Sequence, residues 1–369
     1  MLPVSDFGVF SVAYAIYVLI LGASQSLVGQ ELVLVEGSRD ELKSAATVAA
    51  VFSALLSIPV LLMVASAAAL FPDLSPAIIP LASTLPFLML QDAGRFYGSA
   101  LRAPQFALLL DSFWLLVSSI GLVWVLLSKA PTSPSLFAWC WFGGGAVAAL
   151  PMLIVVFANL RSGVRVSQVL RYVSKGHLGY RFLGEFAAIR GTSQGLALSL
   201  GALAGLAAAG AFRGATTLFG PFNVLLNAVT SFGAPIVRNA EARNRSRLLR
   251  NLAVTLAIIA GCLSGVALLL PDQVGSRILG ETWAYAKNLL LPFGLQAVAL
   301  AVSTVYFLGL RMVRPKITLP LRLVSSAFVV VLFFVGLAAG GVTGAAWGLA
   351  GAAVVQAGLG VAAYVRENR

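Results

Sequence analysis

Charge is what this chain has least of. Of its 369 residues, 10% are Asp, Glu, Lys or Arg, against 59% hydrophobic ones. A soluble domain carries roughly a quarter charged residues, so this composition cannot supply a water-exposed surface. So much apolar surface also excludes disorder. Acidic residues are the scarcer sign, with 13 Asp+Glu against 25 Lys+Arg and a net charge of +12. In a soluble protein such an excess would suggest nucleic acid. Here the basic residues lie between apolar runs rather than on a polar face, so nucleic acid is not an expected partner. Cysteine is nearly absent. Cys140 and Cys262 sit far apart inside apolar runs and are expected to be buried free thiols rather than a disulfide. The single histidine, His177, has no metal-ligand neighbour at useful spacing. A zinc site, a histidine-based triad and a cofactor are therefore not expected, and His177 is read as an ordinary member of a basic loop.

What the chain has instead is long apolar runs. A membrane helix needs about 20 mostly apolar residues. Eleven runs qualify: 8–33, 45–70, 78–100, 107–127, 136–157, 185–208, 211–236, 252–271, 287–309, 319–338 and 343–364. The connections between them leave no room for a soluble domain. Alternate loops divide the basic residues unevenly: one set of loops holds 21 of the 25, and the other holds only Lys129, Arg213, Arg277 and Lys287. That asymmetry predicts a plasma-membrane protein with its C-terminus on the cytoplasmic side. Eleven spans would then put Met1 outside, although nothing ahead of Asp6 resembles a signal peptide. The simpler expectation is a further helix upstream of Met1.

Two halves are expected, an N-terminal lobe over 1–157 and a C-terminal lobe over 185–369, joined by a linker over 158–184. In the linker, Val166, Val169, Leu170 and Val173 follow helical spacing with Arg165, Gln168, Arg171 and Lys175 on other faces. This predicts a basic amphipathic helix on the inner membrane surface. Gly8-Val9-Phe10 and Gly210-Ala211-Phe212 open matching spans, with Ala13 and Ala215 in register. The fold class is all-α and polytopic, with about eleven transmembrane helices in two pseudo-symmetric bundles of five and six, from a plan of six and six. Parallel repeats of this kind commonly bind substrate between them.

Polar groups inside apolar runs need a reason to be there. Asp92, Arg95, Ser99 and Arg102 share one helical face. Asp92 and Arg95 can pair, and Asp111 is placed to meet Arg102. These groups form either a structural ion pair or a basic lining for an anionic substrate. Glu185, Arg190, Thr192, Ser193 and Gln194 open the sixth run, where Arg190 either snorkels to the interface or faces a cavity. Thr216, Gly220, Asn223, Asn227 and Ser231 form a stripe along the seventh, suited to tight helix packing or to a wet cavity. Arg213 heads that helix, and its guanidinium is of the type that grips phosphate bidentately.

Several of these stretches resemble a known family, the polysaccharide-exporter (Wzx-type flippase) branch of the multidrug/oligosaccharidyl-lipid/polysaccharide exporter superfamily. Val4-Ser5-Asp6-Phe7-Gly8 is similar to its loop between first and second helices. Leu90-Gln91-Asp92-Ala93-Gly94-Arg95, with Arg102-Ala103-Pro104 and Asp111, resembles its fourth-helix region. Ala211-Phe212-Arg213-Gly214-Ala215, with Leu218-Phe219-Gly220-Pro221-Phe222-Asn223-Val224-Leu225, is similar to its eighth helix, and Leu279-Gly280-Glu281 to the turn before its tenth. The resemblance covers nearly the whole chain and implies that the first helix is missing. It implies two lobes around a cavity that opens alternately to each side, and a flippase or exporter of lipid-linked oligosaccharide or polysaccharide precursors. The implied partners are the lipid bilayer, a phosphate-bearing lipid-linked glycan and glycan-assembly enzymes. The implied substrate-binding candidates are Arg95, Arg190, Arg213, Asn223 and Asn227, and the ion-coupling candidates are Asp92 and Glu185. Two alternatives stand beside this reading: a multidrug antiporter of the same superfamily, and a non-transporting remnant or scaffold. A membrane glycosyltransferase or polymerase fits poorly, because the longest outside loop, 271–286, offers only Asp272 and Glu281 as acids. No enzymatic activity is expected.

Overall fold

The computed structural model describes residues 3–29, 32, 38–101, 103–128, 132–160, 166–174, 177, 179–187, 191–226, 229, 237 and 242–367. The chain is an all-α polytopic membrane protein, and the described residues include no strand. Among the described residues, eight helices are long and apolar enough to cross a membrane. We number the helices α1 Val4–Ser24, α2 Arg39–Leu70, α3 Ser75–Ala100, α4 Pro104–Leu127, α5 Pro134–Asn159, α6 Val166–Leu170, α7 Gly179–Phe186, α8 Thr192–Ala204, α9 Leu206–Leu218, α10 Ala242–Leu268, α11 Asp272–Leu279, α12 Thr282–Val313 and α13 Pro315–Glu367.

Local chemistry sets these boundaries. Ser38 and Glu41 form a capping box ahead of α2: Glu41 Oε2 accepts from the Ser38 N–H at 2.7 Å, and Ser38 Oγ accepts from the Glu41 N–H. Proline opens α4, where the missing N–H is no loss. At 32 residues α2 reaches about 48 Å, more than the roughly 30 Å hydrocarbon core. Two expected spans, 319–338 and 343–364, appear within α13, which turns back on itself at Gly340 and Gly341. Gly341 has φ +58°, a conformation that favours glycine. Past the turn the two halves pack backbone to backbone, with Gly336 against the Gly344 carbonyl and Gly348 against that of Leu332. No side chain would fit at these contacts, which is how small residues hold membrane helices together.

The expected spans 185–208 and 211–236 are broken differently. Gly205, at φ +90°, separates α8 from α9, so each has 13 residues. After Leu218 the helix is interrupted at Phe219. Much of 227–236 lies outside the described residues.

The chain forms two compact units. One comprises residues 9–195; the other comprises residues 3–8 with 196 onward. In the first, α2, α3 and α5 close around Ala49, Phe52, Leu90, Tyr97 and Met152. In the second, α9, α10, α12 and α13 close around Leu256, Ala260, Phe293, Val305 and Phe333. The opposite faces are apolar and exposed, as in Leu108, Leu115 and Leu126 of α4 and Ile258 and Val266 of α10. Apolar faces of this kind are solvated by lipid tails. Cys262 follows the same logic. It is free as expected, but it is exposed rather than buried, because an apolar run in a membrane protein need not face protein. The two Gly-X-Phe segments meet at their glycines: a Cβ on Gly210 would lie 2.6 Å from the Val4 carbonyl oxygen and 3.1 Å from the Gly8 nitrogen.

Candidate functional site

The polar residues of the first unit converge on α3. Asp92 is only 2% exposed. Its Oδ1 accepts from Gln25 Nε2 at 2.9 Å and from Arg95 Nη1 at 3.0 Å. Arg95, one turn further along α3, reaches across to α4. Its Nε and Nη2 both donate to Asp111 Oδ1, at 2.8 and 2.7 Å. Gln91 Nε2 joins the same oxygen at 3.1 Å. One guanidinium therefore lies between two carboxylates. The partner expected for Asp111 was Arg102; among the described residues Arg95 pairs with it across the α3–α4 contact. Arg102 lies outside the described residues.

Aromatic rings wall this cluster. The Arg95 guanidinium lies 6.0 Å from the Trp114 ring centre. Trp114 contacts Tyr17 at 6.2 Å and Trp141 at 5.6 Å between centroids, and its indole N–H donates to the Trp141 carbonyl at 2.9 Å. Tyr17 Oη and Gln91 Oε1 are buried without a hydrogen-bond partner among the described residues. Gln25 begins a π-helical turn, Gln25–Gly29, at the end of α1. Such turns are frequent at functional sites. This one points Gln25 at Asp92 and leaves the Leu27 carbonyl to an outside donor.

That donor is His177. Its Nε2 lies 2.8 Å from the Leu27 carbonyl oxygen. The ring is buried, in edge contact with Tyr172 and Tyr180. Tyr172 in turn stacks on Phe52 of α2 at 4.9 Å. Hence His177 is not idle: it ties Tyr172 and the start of α7 to the end of α1. The expected amphipathic helix is α6, followed by a short 3-10 turn, Arg171–Val173. Leu170, Arg171 and Val173 point outward while Tyr172 points in.

The remaining candidates lie elsewhere. Arg213 is half-buried on α9 in the second unit, and its carbonyl accepts from the hydroxyls of Thr216 and Thr217. Asn223 is exposed, and a Cβ on Gly220 would meet open space. The helix is interrupted at Phe219, between Thr216 and Gly220 of the expected stripe. Glu185 is on α7, but its side chain falls outside the described residues, as do Arg190, Asn227 and Ser231.

No protein-family profile matches the chain, and no curated protein matches it. Solved structures do. A multidrug resistance MATE family transporter of the MOP superfamily matches in its inward-facing conformation with TM-score 0.65 and 13% identity, over 98% of this chain and 87% of that one. An outward-facing conformation of a transporter so described matches with TM-score 0.56 and 13% identity, over 98% and 85%. A MOP superfamily transporter from Pyrococcus furiosus, described as having a binding pocket of reverse polarity, matches with TM-score 0.58 and 14% identity, over 98% and 85%. At these identities the likeness is one of fold. The chain has the helical fold of the MOP transporters.

Proposed function

We propose that the protein is an alternating-access membrane transporter that flips or exports a phosphate-bearing, lipid-linked oligosaccharide or polysaccharide precursor. The observation that carries this reading is the state of Arg95. Its bidentate edge, Nε with Nη2, rests on a single oxygen of Asp111, and the Asp111 side chain is 47% exposed. An incoming phosphate presents the same geometry with more charge and can exchange with Asp111. Asp92 keeps the guanidinium in place meanwhile. Arg190 and Arg213 supply further positive charge, and Asn223 and Asn227 supply amides for sugar hydroxyls. Asp92 and Glu185 are the groups that couple ion movement to the cycle. The lipid tail stays in the bilayer while the head group crosses. In this reading the protein lies in the plasma membrane with its C-terminus in the cytoplasm, beside glycan-assembly enzymes, and catalyses no covalent step.

The fold likeness to inward- and outward-facing transporters supports alternating access. A second reading, a multidrug antiporter, is favoured by the multidrug transporter among those neighbours and disfavoured by the excess of basic candidates. Proteoliposomes loaded with undecaprenyl-diphosphate-linked sugar discriminate. We expect flipping that falls at least about tenfold in Arg213→Ala and Arg190→Ala. Unchanged flipping in both variants would refute the phosphate-holding role. Efflux of cationic drugs without flipping would favour the antiporter, and neither activity would favour a scaffold.

A further inference from the structure

Arginine collects at the end of the second unit where α10 begins and α13 finishes. The hydroxyls of Ser246 on α10 and Tyr364 on α13 lie 3.2 Å apart. A Cβ on Gly309 of α12 would meet the Leu249 side chain of α10 and the Tyr364 ring. The ends of three helices therefore meet here, and α12 passes into α13 at Arg314. Arg247 and Arg250 on α10, Arg311 on α12, Arg314 at the junction and Arg366 on α13 are all exposed. Glu367 is the only acid among the described residues of these ends, and Arg314 takes it at 3.1 Å. Glu241, ahead of α10, lies outside the described residues. Arg247, Arg250, Arg311 and Arg366 make no hydrogen bond or ion pair among the described residues. The first turn of α10 has no acidic residue, so its N-terminal dipole adds to the positive field. Beyond the far end of α10 the charge is balanced, with Asp272 and Glu281 against Arg277 and Lys287.

Basic loops set topology during insertion. Topology asks only that such charges lie near the spans, not that they gather on three helix ends without partners. Like charges held together repel one another unless an anion sits among them. The surface beside them describes that anion further. Val254, Ile258, Cys262 and Val266 follow Arg250 along α10 at intervals of four, on one face, and all are exposed. From Val254 to Val266 this apolar stripe runs about 18 Å, against about 15 Å for one leaflet, half of the hydrocarbon core. An occupant that fits both parts has an anionic head and a hydrocarbon tail. Guanidinium groups take phosphate oxygens through paired donors, and basic sites at the ends of membrane helices hold anionic head groups.

We infer that this end of α10, α12 and α13 binds an anionic glycerophospholipid of the surrounding bilayer. Its phosphate sits on Arg247, Arg250, Arg311 and Arg366, and one acyl chain lies along the α10 stripe. The lipid ties the three helix ends together and is not itself transported, so the site does not depend on the substrate proposed above.

The test uses the full chain in a neutral detergent, with thermal unfolding followed by tryptophan fluorescence as phosphatidylglycerol or phosphatidylcholine of the same acyl chains is added. A ligand that binds only the folded state raises Tm with its concentration. We expect a saturable rise with phosphatidylglycerol that neither phosphatidylcholine nor inorganic phosphate gives. Arg247→Gln with Arg250→Gln should raise the half-saturating mole fraction of phosphatidylglycerol about tenfold, with Tm in detergent alone unchanged. Arg39→Gln with Lys43→Gln removes the same charge from the start of α2 in the first unit and should leave half-saturation where it was. Equal rises with both lipids would overturn the proposal. So would equal effects of the two double variants, since charge alone would then suffice, or an equal rise with inorganic phosphate, since no tail would then be needed. If the α10 variant does not fold, Arg366→Gln takes its place, and an unchanged half-saturation there overturns the site.

Discussion

The two units are made of the same apolar helical material and place their ion pairs differently. In the unit over 9–195, buried or half-buried polar side chains bond to each other across helices: Gln25 to Asp92, Arg95 to Asp92 and Asp111, His177 to the end of α1. In the other unit two ion pairs of the described residues sit at element ends. Arg314 meets Glu367 at 3.1 Å with its side chain 66% exposed, and Asp272 meets Lys287 at 3.4 Å. Among the described residues, the interior of that unit is mostly alanine, leucine and phenylalanine, drawn close by glycine in α13, with the Ser246 and Tyr364 hydroxyls 3.2 Å apart across α10 and α13 and Arg322 over the Phe307 ring. A charge held among apolar helices is costly, and where it occurs it points to function. It is also exposed to failure, because each partner depends on the other.

That contrast can be broken most directly at its charges. Arg95→Ala leaves Asp92 buried with a single amide partner, and removing one member of a buried pair costs about 3–5 kcal/mol. Arg314→Ala removes an exposed pair and should cost no more than about 1 kcal/mol. Denaturation of both variants in the same detergent reads the difference; equal losses would mean that the first unit's charges are no more deeply committed than the second's. A smaller effect is expected at the pin. His177→Ala leaves the Leu27 carbonyl buried without its donor, at about 1–3 kcal/mol. The loss should appear as faster amide exchange over 166–180 and the end of α1, and exchange that stays slow there would remove His177 as the anchor.

The smallest effect is at Asp272. The Trp283 indole N–H, 2.6 Å away, and then the Lys287 ammonium hold its carboxyl below the usual carboxylate range. A depressed value means that the contribution is present above the unfolded carboxylate pKa and is lost as pH falls through the folded one. Trp283 fluorescence should therefore change in strongly acid solution. Asp272→Asn should remove that transition while leaving neutral-pH stability nearly unaltered. A transition that survives in the variant would assign it to another acid.

Much of this was legible without coordinates. Length and hydropathy marked the spans, and α1 to α5 and α10 to α13 overlap nine of the runs read from the sequence. The Asp92–Arg95 pairing followed from helical spacing. The partner of Asp111 did not, because spacing says which residues share a face and not which neighbouring helix meets it. His177 was missed for a related reason. Its acceptor is a main-chain carbonyl 150 residues away, freed by a π turn that leaves no mark in side-chain pattern. A hint lay in Tyr172 and Tyr180, aromatic residues flanking the lone histidine in an otherwise basic segment.

What the sequence determined by itself was the solvent of this protein. A chain with so few charges and such long apolar runs has to place its surface in lipid, and that follows from transfer free energy alone. The break at Gly341 falls between two runs read from the sequence, whereas the break at Gly205 falls inside one. Tertiary structure decided which polar groups meet. Pairing across helices depends on the rotation and depth of each helix against its neighbours, and these are set by the packing of side chains far apart in the chain. Thus composition led to the membrane, and only the packed helices brought Gln25 to Asp92 and Arg95 to Asp111.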